Sequence, residues 1–179
     1  MFCSACGRPL SHPPPTECLS CGAQHWNDAK PCASALVVTE SQLLMVRRAQ
    51  EPWRRMWDVP GGFCEPGEHP MTTAQREVFE ETGLRIRIVG FLGIWLDEYP
   101  DAGGALKRTL NIYYHAVPSG SVAMAHDTAE VVEAAFFSAS QLPEPLAFPG
   151  HVPAALDAWR RAASAGSLVT DLFDSARAV

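Results

Sequence analysis

Residues 62–84 read GFCEPGEHPMTTAQREVFEETGL, and this stretch has the strongest pattern in the sequence. Pro70 suits the first turn of a helix, where its missing N–H has no helical partner, and Gly83 suits the position just past the last turn. The apolar positions between them recur at helical spacing: Met71, Ala74 and Val78. The pattern predicts a helix over 71–82 that packs one face on a sheet.

Acidic side chains occupy another face of this predicted helix. Three of them lie close together because they stand at positions i, i+3 and i+4. They are Glu77, Glu80 and Glu81. Glu68 comes from the loop just before, and Arg76 is the local counter-charge. Oxygen ligands without Cys or His favour Mg²⁺ or Mn²⁺, which leave positions open for water and a substrate phosphate. The alternative is a solvated acidic face.

A cation held beside two phosphate groups neutralises their charge and lowers the pKa of an attacking water. A nearby carboxylate then completes the removal of the proton. The sequence therefore predicts a hydrolase that splits a diphosphate.

The spacing of Gly62, Glu68 and the run REVFEETGL at 76–84 resembles the signature of the Nudix hydrolases without a departure. The resemblance implies an α+β fold in which helices sandwich a mixed β-sheet. It also implies hydrolysis of a nucleoside diphosphate linked to another moiety. The helix glutamates would bind Mg²⁺ or Mn²⁺, Glu68 would assist, and Arg76 would orient a glutamate. The backbone carbonyl of Gly62 is a further candidate ligand.

Members of this family often use another carboxylate from a loop well beyond the signature. The candidates here are Asp127, Glu130 and Glu133, just ahead of an apolar strand. Glu130 is our choice as a catalytic residue. A solvated acid at the strand edge explains it equally well.

Four cysteines near the N-terminus form two CxxC pairs separated by eleven residues: Cys3, Cys6, Cys18 and Cys21. Gly7 and Gly22 follow the pairs and can open the tight turns that a two-thiolate knuckle needs. Four thiolates at this spacing predict a closed, structural Zn²⁺ site, and hence a small zinc ribbon. Two disulfides are the alternative, but the sequence opens without a secretion leader, so we expect a cytoplasmic protein with reduced thiols.

The chain has 179 residues, of which 47% are hydrophobic, and a formal net charge of -6. The negative charge disfavours nucleic acid as a partner, and no stretch approaches the length of a membrane span. Alternation predicts strands over 33–39, 42–47, 84–95, 109–117 and 130–137, and helical spacing predicts a second helix over 152–163. We divide the chain into a zinc ribbon and linker (1–30), a Nudix domain (31–165) and a C-terminal tail (166–179).

The substrate is inferred from the flanks of the signature. The ribbon junction at 21–31 and the run LAFP at 146–149 resemble enzymes related to FAD or ADP-ribose pyrophosphatases. The segment at 90–98 lacks the pattern of NADH pyrophosphatases. We therefore favour ADP-ribose or FAD as the small-molecule nucleotide substrate. NADH pyrophosphatase, nucleoside triphosphate pyrophosphohydrolase and a non-catalytic nucleotide sensor remain alternatives.

Three further side chains are candidate substrate contacts. Trp95 and Tyr99 precede a loop-like segment and offer aromatic faces on which a base can stack. Arg47 ends an apolar strand beside Arg48, and strand alternation directs one of the two inward. Core packing and surface charge are the ordinary explanations for such residues. A second subunit in a homodimer would add recognition area.

Overall fold

A computed structural model describes residues 1–40, 42–100, 104, 106–120 and 129–164 of the chain, so the proposed tail lies outside the described residues. The elements in chain order are β1 (Thr16–Glu17), β2 (Gln24–His25), β3 (Lys30–Thr39), β4 (Gln42–Arg48), β5 (Trp57–Asp58), β6 (Gly61–Phe63), α1 (Pro70–Thr82), β7 (Ile86–Pro100), β8 (Leu106–Pro118), β9 (Val131–Ser138) and α2 (Val152–Ser164).

Seven of these strands form one sheet around β3. Strand β3 pairs in parallel with β8 and antiparallel with β4 and β6, and β7 and β9 extend the sheet by antiparallel pairing. Strands β1 and β2 form a separate hairpin in the N-terminal region. The sheet is mixed, as the sequence predicted.

The two helices cover opposite faces of this sheet, which confirms the predicted α+β sandwich. Ala33, Ala35 and Val37 of β3 join a core cluster with Ala74 and Val78 of α1. Alternate side chains of a strand point to opposite faces, so Leu36 belongs to a second cluster that contains Leu156 and Trp159 of α2. The central strand is therefore apolar on both faces.

The predicted helices agree with α1 and α2 to within a residue or two, but the strands on either side of residues 101–105 are longer than alternation indicated. Strand β7 continues to Pro100 and β8 begins at Leu106, because the two pair across the whole length of a hairpin down to that residue pair. Backbone pairing continues where the side-chain pattern has already ended. Neither helix within the described ranges has the length and apolar character needed to cross a membrane.

Candidate active site and cysteine cluster

The ends of α1 fix the orientation of its glutamates. At the start, the backbone N–H of Met71 donates to Nδ1 of the capping His69 at 3.2 Å. At the end, Gly83 adopts a left-handed conformation with φ of 72°, and its N–H donates to the carbonyl of Phe79 at 2.8 Å. Gly83 tolerates this positive φ because it has no Cβ. The predicted helix boundaries are thus confirmed.

Two glycines of β6 bring backbone against the acidic face. The N–H of Gly61 donates to Oε2 of Glu81 at 3.1 Å. A Cβ at Gly62 would collide with the carboxylate of Glu77. Only glycine leaves room for this approach, and as a result both carboxylates are buried, with 8% of each residue exposed.

Arg76 gathers three glutamates around one guanidinium. Its Nε and Nη2 donate to the two carboxylate oxygens of Glu68, each at 3.0 Å. Its Nη1 donates to Glu77 and to Glu80, each at 2.9 Å. These bonds from Arg76, helped by the hydroxyl of Thr73, lower the pKa of Glu68 to about 2. A bidentate arginine holds a carboxylate in one orientation, which suits a positioning role.

Three carboxylates converge from two distant parts of the chain. Glu77, Glu81 and Glu130 each offer an oxygen, and the three oxygens lie within 4.8 Å of one another. Burial is the main cause that raises the pKa of Glu77, and Arg76 offsets part of the effect. Burial, with Asp58 and Glu77 nearby, raises the pKa of Glu81 well above its ordinary value. Such groups are unfavourable as bare anions and gain from a cation.

The donor set fits a hard divalent cation. Oxygens around one octahedral Mg²⁺ lie roughly 3 to 4 Å apart, so small side-chain rotations bring this cluster onto one ion. Glu80 stands apart from it, because its side chain is 55% exposed and its carboxylate lies against Arg76. Asp127, the alternative to Glu130, lies outside the described residues. Glu133 pairs with Arg47 instead, at 3.4 Å.

A cavity of about 590 Å³ opens beside the acidic cluster. Its floor consists of alternate residues of β3 and β8: Cys32, Ser34, Thr109, Asn111 and Tyr113. Its walls include the three converging glutamates, Arg48, Asp58, Tyr99, Phe148 and His151. The cavity therefore joins the carboxylate cluster to a mixed polar and aromatic pocket, the arrangement expected for a ligand site.

Of the two consecutive arginines, the cavity receives Arg48 and not Arg47. Arg48 Nη1 donates to Asp58 at 3.2 Å, and its guanidinium lies 4.7 Å from the centre of the Phe148 ring. Burial raises the pKa of Asp58, and the charge of Arg48 offsets part of that rise. Arg47 donates to the carbonyl of Arg55 and pairs with Glu133 outside the cavity.

Of the two candidate aromatic residues, one lines the cavity and the other does not. Tyr99 lines the cavity, and its ring centre lies 5.1 Å from that of Phe148. Trp95 is absent from the lining and packs edge-on against Tyr113 at 5.4 Å. It is partly buried and packs against the second core cluster.

Sequence reasoning did not select Asp58, Phe148 or His151 as site residues. Phe148 lies in the LAFP run that the resemblance had already marked, whereas Asp58 lies just before the glycines of β6, outside any segment singled out above. No sequence pattern around His151 indicated a functional role. This histidine enters the site because the segment before α2 folds over the end of the cavity, where its Nδ1 lies at hydrogen-bond distance, 2.7 Å, from the hydroxyl of Tyr113.

The four N-terminal cysteines come together as the spacing predicted. Their sulfur atoms lie within 4.8 Å of one another, with 3.6 Å from Cys3 to Cys21 and 3.7 Å from Cys6 to Cys18. Tetrahedral Zn²⁺ with Zn–S bonds near 2.3 Å requires sulfur separations of about 3.8 Å. The thiols are free and are arranged as a possible structural zinc site.

Glycines shape both knuckles of this cluster. Gly7 and Gly22 have φ of 71° and 74°, and their N–H groups donate to the carbonyls of Cys3 and Cys18. The predicted role of glycine in these turns is therefore confirmed. His25 places Nε2 at 3.2 Å from the sulfur of Cys3, so it borders the cluster.

Comparison with known proteins identifies the domain that has this architecture. A model of the NUDIX domain matches residues 29–156. ADP-ribose pyrophosphatase of Methanocaldococcus jannaschii is 31% identical over 113 residues, which are 63% of this chain and 63% of that protein. NAD-capped RNA hydrolase NudC of Salmonella typhi is 25% identical over 146 residues, 79% of this chain and 53% of that protein. The chain thus spans about half to three fifths of these relatives' lengths.

Solved structures show the same fold. A NUDIX hydrolase from Nitrosomonas europaea superposes with a TM-score of 0.70 at 23% identity, over 91% of this chain and 90% of that one. The NUDIX domain of Shewanella oneidensis NrtR, solved in complex with ADP ribose, gives a TM-score of 0.60 at 23% identity, over 76% of this chain and 89% of that one. With the matched domain covering most of the sequence, the chain belongs to the Nudix family.

Proposed function

We propose that the protein is a hydrolase, dependent on Mg²⁺ or Mn²⁺, that cleaves the diphosphate linkage of a nucleoside diphosphate joined to a second group. ADP-ribose and FAD are the favoured substrates. The observation that carries this proposal is the convergence of Glu77, Glu81 and Glu130 within 4.8 Å at the wall of a 590 Å³ cavity. A cavity of this size exceeds what the phosphates alone require.

The proposed roles follow from the surroundings of each side chain. Glu77, Glu81 and Glu130 would hold the cation, which would neutralise charge on two phosphates and lower the pKa of an attacking water. Glu68 and Arg76 position the ligands, because Arg76 bonds to both Glu68 and Glu77. Glu80 remains a proposed catalytic residue at the exposed edge of the same helix, and the Gly62 carbonyl remains a proposed ligand.

The proposed substrate contacts are Arg48 and Tyr99. Arg48 uses Nε for the carbonyl of Pro52 and Nη1 for Asp58. Among the described residues nothing accepts from its Nη2, so this donor is available to a phosphate or ribose oxygen. We place the arginine contact here instead of at Arg47 because Arg47 lies outside the cavity.

The test is a product-resolved panel at one enzyme concentration with Mg²⁺. It includes ADP-ribose, FAD, NADH, diadenosine polyphosphates and oxidised nucleoside triphosphates. We expect AMP with ribose phosphate, or AMP with FMN, at the highest kcat/KM. Dominant release of pyrophosphate from a triphosphate would overturn the proposal, and NADH as the best substrate would support the alternative of an NADH pyrophosphatase.

A sensor is the candidate of a different class. It would bind ADP-ribose with Mg²⁺ present and leave it intact over hours. Glu81→Gln serves as the matched control in every arm, because a contaminating phosphatase would be unaffected by this change.

A further inference from the structure

The floor of the cavity contains an amide with one uncommitted acceptor. Asn111 of β8 lines the cavity, and 5% of it is exposed. Its Nδ2 donates to the backbone carbonyl of Trp95 at 3.2 Å and to the hydroxyl oxygen of Thr109 at 2.9 Å. A backbone carbonyl only accepts, so this contact fixes which end of the amide is the nitrogen. Within the described part of the chain, no group donates to Oδ1.

The neighbouring hydroxyl is already committed. Tyr113 stands two residues along the same strand, and its hydroxyl oxygen lies 2.7 Å from Nδ1 of His151. The carboxylate of Asp97 lies 3.6 Å from Nε2 of that histidine, which favours the proton on Nε2 and leaves Nδ1 as an acceptor. Burial lowers the pKa of His151 to about 4, so the ring is neutral at pH 7. Asn111 therefore presents its acceptor beside a tyrosine whose hydrogen is used elsewhere.

The position of Asn111 separates it from the cation site. Strand β6 with Gly62 pairs on one side of β3, and β8 pairs on the other. Adjacent strands lie about 4.8 Å apart, so Asn111 is roughly 10 Å across the sheet from Gly62. Tyr99 and Phe148 line the cavity with aromatic rings. The end of the cavity near Asn111 therefore suits a planar group attached to the diphosphate.

We propose that Oδ1 of Asn111 accepts a hydrogen bond from an amino or imino N–H on the nucleobase of the substrate, and that this contact determines which bases the site accepts. The inference rests on the proposed function, because it assumes a nucleoside diphosphate in the cavity. A buried acceptor that loses its donor pays a desolvation cost, so a base without an N–H on that edge binds worse.

The test compares ADP-ribose with its analogue in which adenine is replaced by purine, which lacks the 6-amino group. We expect wild-type protein to show at least about a tenfold lower kcat/KM for the purine analogue. Asn111→Leu should bring the two substrates to within about twofold of each other. Ile112→Val is the matched control, because this next residue of β8 packs on the opposite face of the sheet, and it should keep the wild-type ratio.

The wild-type comparison stands even if Asn111→Leu does not fold. Equal kcat/KM for the two substrates in wild-type protein, or an unchanged ratio in a folded Asn111→Leu, would overturn the inference. A binding measurement separates the proposed base contact from the proposed hydrolase activity. Calorimetry compares the binding of AMP with that of purine riboside monophosphate. Preference for AMP without any hydrolysis supports the base contact and contradicts the hydrolase, whereas equal or undetectable binding of both contradicts the base contact.

Discussion

Arg47 and Arg48 show how a difference of one position along a strand decides which side chain reaches the cavity. They are adjacent on β4, where a register irregularity in the pairing with β9 falls between them. Arg47 packs over the Trp57 ring and pairs with Glu133, whereas Arg48 enters the cavity. Alternation predicts that one of two neighbours points inward, but the sequence alone does not say which.

This difference leads to a matched pair of variants. Arg48→Lys should raise KM roughly tenfold with little change in kcat, because lysine keeps the charge but loses the planar, multiply bonded guanidinium. Arg47→Lys should leave KM within about twofold of wild type. Steady-state kinetics on the best substrate of the panel checks both, and a larger KM effect at Arg47 would contradict the assignment.

The helix residues Glu80 and Glu81 are also expected to differ in how much they contribute to turnover. Glu81→Gln should lower kcat on the order of 10²-fold or more, because Glu81 belongs to the buried carboxylate cluster. Glu80→Gln should cost less, since its side chain is 55% exposed and lies against Arg76. Turnover with saturating Mg²⁺ gives the comparison. Equal losses in the two variants would show that Glu80 is as closely engaged as Glu81.

His151 gives a prediction for stability against pH. Its pKa is lowered from 6.5 to about 4 by burial, against the opposing charge of Asp97. Between these values the unfolded chain binds the proton and the folded chain does not. The contribution of His151 is therefore complete above about pH 6.5 and is lost as pH falls toward 4. Urea unfolding at pH 7 and 4.5 should show a smaller acid-side loss in His151→Gln than in wild type; equal losses would contradict it.

At the scale of elements, the N-terminal hairpin and the main sheet differ in the interactions that stabilise them. Strands β1 and β2 contain two residues each and pair with one another. The buried residues of this region include Cys3 and Cys18, whereas Leu19 and Trp26 are exposed. So small an apolar core cannot order the segment alone, and metal binding is expected to supply the missing stability.

Cys18→Ser should therefore unfold residues 1–30 and spare the main sheet. Purified wild-type protein should contain about one Zn²⁺ per chain, and the variant should lose it. Hydrogen exchange should then show loss of protection confined to the N-terminal region. Cys64→Ser is the control, because this thiol lies outside the cysteine cluster. Full zinc retention in Cys18→Ser, or a wild-type protein purified under reducing conditions without zinc, would contradict the predicted site.

At the scale of the whole molecule, the proposed cation site joins segments that are distant in sequence. Glu77 and Glu81 lie on α1, and Glu130 lies about fifty residues later, just before β9. Their oxygens meet because β9 pairs with β4, which pairs in turn with β3 beneath α1. We therefore expect a cation to bind the folded chain at this cluster, because the unfolded chain presents no equivalent arrangement of carboxylates.

Added Mg²⁺ should consequently raise the melting temperature. At a concentration about 100 times Kd, linkage gives roughly 2.7 kcal/mol, or on the order of 5–10 °C for a chain of this size. Glu81→Gln should lose most of this shift. Glu98→Gln should keep it, because Glu98 pairs with Arg108 away from the cluster. Equal Mg²⁺ shifts in wild type and Glu81→Gln would place the cation elsewhere.

The sequence by itself determined what depends on short-range spacing. The helix over 71–82, its capping glycine and the two cysteine knuckles follow from residues within a few turns of each other, where geometry is set by 3.6-residue periodicity and by positive φ at glycine. The strands and the second helix followed from apolar periodicity, and the family resemblance supplied their arrangement as a mixed sheet between helices. The signature from Gly62 to Leu84 was specific enough to indicate the family as well.

Only the tertiary structure decided the composition of the cavity. The inward direction of Arg48, the exclusion of Trp95 from the cavity, the approach of Glu130 to Glu77 and Glu81, and the contact of His151 with Tyr113 all depend on contacts between distant strands and loops. Strand register sets these contacts, and a shift of one residue sends a side chain to the opposite face. Local spacing therefore fixed the chemistry carried by α1, while long-range pairing selected the residues that surround it.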